Sequence, residues 1–211
     1  MKAIDTAGIT KNTLVIYTSD NGSFMYRRDE DDAVGHVDDE TVQAFRSDRH
    51  TSNGSFRGTK ADIFEAGHHV PFFVRWPERI RPSSESEKTI RHVDCLATFA
   101  DITGATIPEG HAIDSHSFLA ELEGKATSPR PGVVHHSGSG MFAIRDGKWK
   151  LIAGNGSGGR EKPKGEPFGH PYQLYDLKAD ITESNNLYDT RKDIAKRLED
   201  TLQSIRDLEG K

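Results

Sequence analysis

The run Ser19-Asp20-Asn21-Gly22 follows directly on the β-favouring stretch Thr13-Leu14-Val15-Ile16-Tyr17-Thr18. A carboxylate and an amide oxygen side by side are hard donors, suited to Ca2+ or Mg2+ rather than to zinc. Ligands of α/β sheets also gather where strands end at their carboxyl side. Taken alone, the same run is more often only an Asn-Gly turn. A second concentration of chemistry runs from Arg57-Gly58-Thr59-Lys60 to Glu65-Ala66-Gly67-His68-His69-Val70-Pro71. The Lys60 ammonium can stand as a point charge against an oxyanion, or be an ordinary surface lysine. His68 and His69 are neighbours, so on a strand they point to opposite faces and at most one reaches a given ligand. His36, His50, His92, His135 and His136 lie mostly in polar stretches, each either a general acid near neutral pH or a solvated side chain. No C-x-x-C, G-x-S-x-G, H-E-x-x-H or Walker sequence is present, so no zinc, serine-hydrolase or nucleotide motif stands behind these groups.

The elements that must position them follow from patterning. Thr13 to Thr18 predicts a buried strand ending in the Asp20-Asn21-Gly22 turn, and Met1 to Gly8 reads as the tail of a helix. Pro71 to Pro77 predicts a second short strand, with a long polar segment from Ser23 to Phe56 before it. Asp94 is placed to cap a helix whose apolar residues Leu96, Phe99, Ala100 and Ile102 precede a Gly104 stop, with Cys95 buried in it. Beyond a Pro-rich stretch near Ala126 to Gly132, Met141 to Arg145 and Lys148 to Ala153 flank an Asp146-Gly147 hairpin turn. Gly154 to Gly169 is a Gly/Lys/Pro-rich loop, and Tyr172 to Leu177 alternates like a further strand. Ile194, Leu198, Leu202, Ile205 and Leu208 recur at helical spacing, predicting an amphipathic terminal helix.

Composition narrows the partners. The 211 residues carry a net charge of −5, with 34% hydrophobic and 29% charged residues, and the basic residues are dispersed. Nucleic acid is therefore not an expected partner. No apolar run approaches the ~18 residues that span a bilayer, so no membrane partner is expected either. The single Cys95 cannot form an intrachain disulfide.

In their order and spacing, Asn12 to Gly22, Ser52 to Lys60 and Phe64 to Pro71 closely resemble the arylsulfatase type of the sulfatase family. Val93-Asp94 with Thr98, then Ala143 to Ile152, and Leu174 to Leu177 with Asn185-Asn186-Leu187 follow the same pattern. The resemblance implies an α/β fold, a partial alkaline-phosphatase-like sulfatase core over residues 1–130, with a small C-terminal α+β subdomain of antiparallel strands and one helix over 131–211. It implies a sulfuric ester hydrolase in which Asp20 and Asn21 are metal ligands for Ca2+, occasionally Mg2+, and Lys60 contacts the sulfate. The family's nucleophile is a formylglycine made from a Cys or Ser in C/S-x-P/A-S-R. Cys95-Leu96-Ala97-Thr98-Phe99 is not that motif, and the family's paired aspartates and its upstream lysine and histidine are missing too. The expectation is thus a C-terminal fragment, with the nucleophile upstream, weak metal binding and no full turnover alone. Its expected partners are a sulfated small molecule or glycan and the missing N-terminal half, and family members are commonly periplasmic or secreted. His50 and His136 are the candidates for contacts to the organic part of the substrate. Two other readings stay open: a phosphodiesterase-like relative, and a non-catalytic module that binds sulfated glycan or a partner chain through Lys60, Arg57 and the histidines.

Overall fold

The computed structural model describes residues 1–24, 26–28, 44–46, 52–127 and 130–209. These fall into two compact units, Met1–Thr18 with Phe72–Val133, and Ser19–Pro71 with Val134–Lys211. One chain crossing between the units lies close to the expected boundary at residue 130, while Ser19–Pro71 clusters with the C-terminal sheet.

In the first unit, helix α1 (Lys2–Thr6) precedes strand β1 (Val15–Thr18), which pairs antiparallel with β4 (Phe72–Arg75) in the register Val15↔Arg75 and Tyr17↔Phe73. Both strands are shorter than the β-favouring runs that encode them. Helix α3 (Asp94–Thr103) stops at Gly104, whose φ of 71° is the left-handed conformation that ends helices cheaply at glycine. Its start departs from expectation. Val93 is the N-cap, and the buried Asp94 carboxylate turns to the Arg91 N–H (2.7 Å), the His116 N–H (3.0 Å) and the Arg130 guanidinium (2.7 Å). A buried carboxylate needs such partners more than a helix end needs a cap. The expected apolar face departs as well, since Thr98 and Ala100 are buried while Leu96 and Phe99 are exposed and Cys95 is half-buried. A short helix α4 (Leu119–Leu122) completes this unit.

In the second unit, β2 (Tyr26–Arg28) pairs parallel with β3 (Ala44–Arg46), and a one-turn helix α2 (Glu65–His68) follows. The C-terminal sheet has the order β5 (Val133–His136), β6 (Phe142–Asp146), β7 (Trp149–Ala153), β8 (Gln173–Asp176). The β6/β7 and β7/β8 pairings are antiparallel. Asp146 pairs with Trp149, so the two-residue turn is Gly147-Lys148, one residue later than the sequence suggested, with φ of 57° at Gly147. Helix α5 (Lys192–Glu209) covers one face, burying Ala195, Leu198 and Leu202 against Val134, Ile144, Leu151 and Leu174. Ile63 and Phe64 cover the other, against Met141, Ala143, Ile152 and Tyr175. With both faces covered, β7 reads as a nearly continuous buried run rather than an alternating one.

Candidate functional site

The residues singled out by type and spacing converge through backbone contacts of the second unit. The Lys60 N–H donates to the Ser23 carbonyl (2.9 Å), two residues beyond Asn21. The Gly22 N–H donates to the Gly67 carbonyl (3.1 Å), at the end of the segment that starts at Arg57. Asn53 clamps the same place, accepting from the Ser23 N–H (2.9 Å) and donating to the Ser23 carbonyl (3.1 Å). Gly22 has to be glycine, because a Cβ there would stand 1.5 Å from the Ala66 carbonyl oxygen. The Asp20-Asn21 turn and Lys60 are thus parts of one surface.

That surface is open. Asp20 and Lys60 are exposed and Asn21 is half-buried, and none of the three side chains has a hydrogen bond or ion pair with a described residue. A carboxylate and an amide oxygen without internal partners fit a hard cation in kind, but no group of three or more His, Cys, Asp or Glu able to hold a metal exists among the described residues. Two donors fall well short of the about six to eight oxygens that Ca2+ prefers.

Beneath Lys60 the chain is held tightly. Ala61 adopts φ of 75°, a costly conformation for a residue with a Cβ, and its carbonyl accepts from the Gly138 N–H (2.8 Å). The buried Asp62 carboxylate accepts from the Thr59 N–H (2.7 Å), the Glu161 N–H (2.9 Å) and the Arg160 N–H. The Ser157 carbonyl accepts from the Ile63 N–H (2.8 Å). The Gly-rich loop after β7, featureless in the sequence, is therefore the bed of the Lys60 turn. Arg57 is committed inward as well, pairing with Glu161 at 2.7 Å, donating to the Glu183 carbonyl at 3.0 Å and lying 3.8 Å from the Phe64 ring centroid.

Helix α2 stands on a buried ionic network that sequence reasoning missed. Lys150, with no exposed surface, lies 3.1 Å from Glu65 and 2.8 Å from Glu183. Glu183 also accepts from the Glu65 N–H (2.7 Å), filling the place of an N-cap from 118 residues away, and Arg145 donates to Glu65 at 2.9 Å. Burial pushes the Glu65 carboxyl up, but Lys150, the His69 hydrogen bond and Arg145 together reverse this and hold it well below the usual carboxylate range. At Glu183 burial prevails over Lys150 and raises the carboxyl. One signal was available: alternation puts Lys150 on the same face of β7 as Ile152, which is a core face.

The histidines separate by the same alternation. His135 lies opposite Val134 on β5 and faces His68, the rings 4.4 Å apart with both Nε2 atoms buried and without a hydrogen bond. Burial, with Lys150 next in importance, lowers the His68 pKa to about 4, and burial lowers His135 well below its ordinary value, so both are neutral. His69 turns away to stack on Phe56 (4.3 Å) and bond Glu65. His136 lies on the α5 side of the sheet, exposed, with its ring 6.1 Å from Phe142. It does not join Asp20, Asn21 and Lys60 in the contacts described. His50 and His36 lie outside the described residues.

Comparison with known proteins meets this arrangement from two directions. Residues 1–105 match the model of the sulfatase family, and residues 59–208 match that of the C-terminal part of N-sulphoglucosamine sulphohydrolase. An N-acetylgalactosamine-6-O-sulfatase of Bacteroides thetaiotaomicron is 34% identical over 98% of the chain and 39% of its own length. A solved B. thetaiotaomicron structure from work on the metabolism of multiple glycosaminoglycans superposes with a TM-score of 0.79 at 31% identity, over 98% of this chain and 41% of that one. A structure solved in complex with a neocarrahexaose shares the fold at a TM-score of 0.67 and 18% identity, over 96% and 38% of the two chains. The chain thus spans about two fifths of the length of these relatives, and its solved neighbours place it in the alkaline-phosphatase-like α/β fold. With both family models matching and a sulfatase 34% identical over 98% of the chain, this protein belongs to the sulfatase family.

Proposed function

We propose that this chain supplies the sulfate-contacting and cation-contacting surface of a sulfuric ester hydrolase acting on a sulfated glycan. The observation that carries the reading is the backbone tie between Ser23 and Lys60, which joins two segments whose Asp20, Asn21 and Lys60 side chains have no partner among the described residues. Asp20 and Asn21 would hold a divalent cation, Ca2+ before Mg2+, and that ion would supply positive charge to the sulfuryl oxygens. Lys60 orients the sulfate from the protein side and offsets the charge that develops as the S–O bond breaks. The strained Ala61 and the buried Asp62 fix the Lys60 backbone, so little reorganisation is needed when sulfate binds. A formylglycine-type nucleophile has no counterpart among these 211 residues, and attack is assigned to a segment outside them. Glycan is favoured over a simple aryl sulfate by the 34% identical relative, an N-acetylgalactosamine sulfatase.

Calorimetric titration of the chain with N-acetylgalactosamine 6-sulfate and with the matching 6-phosphate, each with and without Ca2+, tests the reading. The expected result is weak Ca2+ binding, with Kd on the order of 10−4–10−3 M, that strengthens with the sulfate ester present. Preference for the phosphate, or sulfate-ester binding indifferent to Ca2+, would overturn it.

A further inference from the structure

A second polar and aromatic surface lies on the α5 side of the C-terminal sheet. Phe168 holds φ of 60°, a left-handed conformation that is costly for a bulky residue, yet the residue remains 38% exposed. Burial therefore does not explain why it is held there. The loop fixes it firmly: the Phe168 N–H donates to the Ala153 carbonyl (2.8 Å), Pro167 bridges to Gly154, and the Glu166 N–H donates to the Asn155 side chain (2.8 Å). Phe168 extends a row of rings, 6.0 Å from Phe142, which in turn is 6.1 Å from His136. Both ends of the row, His136 and Phe168, are exposed.

Arg206 of α5 lies over this row, its guanidinium carbon 4.5 Å from the Phe168 centroid and 5.0 Å from that of Phe142. No carboxylate among the described residues pairs with it, and its one side-chain hydrogen bond, to Gln203, is long at 3.5 Å. In a chain of net charge −5, Arg57, Arg79, Arg130, Arg145 and Arg197 are by contrast closely paired to carboxylates. A fixed aromatic edge beside a guanidinium with spare donors matches one ligand chemistry well. The C–H face of a pyranose packs on the rings, and a sulfate or carboxylate of the same sugar takes the planar fork.

We propose that His136, Phe142, Phe168 and Arg206 form a distal subsite for a sulfated oligosaccharide, holding a sugar beyond the one whose sulfate meets Lys60. This rests on the glycan reading above and adds chain length to it. The test is calorimetric titration, in Ca2+, of the chain with N-acetylgalactosamine 6-sulfate and with a chondroitin 6-sulfate tetrasaccharide, comparing the wild type, Phe168→Ala and Arg206→Gln. Phe168 is exposed and Arg206 half-buried, and the unfolding midpoint is followed to confirm the fold. The wild type should bind the tetrasaccharide about tenfold more tightly than the monosaccharide. Each variant should lose most of that gain while its monosaccharide affinity stays unchanged. Variants that keep the full gain, or a wild type that shows none, would overturn the subsite. Failure of the hydrolase reading shows separately, in the monosaccharide's indifference to Ca2+.

Discussion

The rim that carries Asp20, Asn21 and Lys60 and the foundation below it, Glu65, Lys150, Glu183 and Arg145, use the same kinds of side chain to opposite ends. On the rim, the carboxylate, amide and ammonium have no partners among the described residues. In the foundation, Lys150 sits between two carboxylates at 2.8 and 3.1 Å, and each charge is answered. Lys60 and Lys150 make the contrast plain, one exposed and one with no exposed surface. The foundation charges are buried and paired, whereas the rim charges are left available and positioned through their backbone. A residue's type does not tell the two apart, but its partners do.

Substitutions that cut the foundation should act on stability. Lys150→Met leaves Glu65 and Glu183 facing each other in the interior, and should cost about 3–5 kcal/mol in urea unfolding. Gln at both carboxylates in the same background should recover much of that loss, and no recovery would mean that the lysine acts by packing alone. Gly22→Ala should cost about 1–3 kcal/mol, because the Ala66 carbonyl cannot retreat without opening the Gly22–Gly67 hydrogen bond. A neutral outcome would show that rim and foundation are not rigidly joined there.

Below these lies a dependence on pH. Burial keeps folded His68 neutral down to about pH 4, while the unfolded chain takes the proton near 6.5. Across that window the unfolded state binds more protons, so acidification favours unfolding. Relative to the wild type, His68→Asn should flatten the stability curve between pH 6.5 and 4 by up to about 1.4 kcal/mol per pH unit. His135 pulls in the same direction and the raised Glu183 carboxyl in the opposite one, and the comparison with the variant reports His68 together with its effect on the neighbouring His135. Parallel curves would show that His68 takes its proton alike in the folded and unfolded chains. The smallest effect belongs to the rim: Asp20→Ala and Asn21→Ala should each leave stability in metal-free buffer within about 0.5 kcal/mol while abolishing the Ca2+ signal. A marked destabilisation would mean that these groups have a structural task after all.

Much of the architecture was legible where periodicity is strong. The spacing of Leu198 and Leu202 marked the face of α5, and Gly147 marked the hairpin to within one residue. The motif order singled out Asp20, Asn21 and Lys60 as candidates, and the Ser23–Lys60 backbone bond joins their two segments. What the sequence concealed depends on partners remote along the chain. Glu183 caps α2 from 118 residues away, and the need for glycine at position 22 comes from a carbonyl at position 66. Asp94 looked like a helix cap because that task is local, whereas two of the three groups it satisfies, the His116 N–H and the Arg130 guanidinium, are brought to it by folding. The opposite placements of His135 and His136 follow from simple alternation on β5 with Val134 on the α5 face.

The most direct test sets the two lysines against each other. N-acetylgalactosamine 6-sulfate is titrated, in saturating Ca2+, into the wild-type chain and into Lys60→Ala, with the unfolding midpoint followed in parallel. Affinity should fall by about tenfold or more with the midpoint unchanged if Lys60 supports the ligand and Lys150 the fold. Unchanged affinity, or a loss matched by a loss of stability, would contradict it.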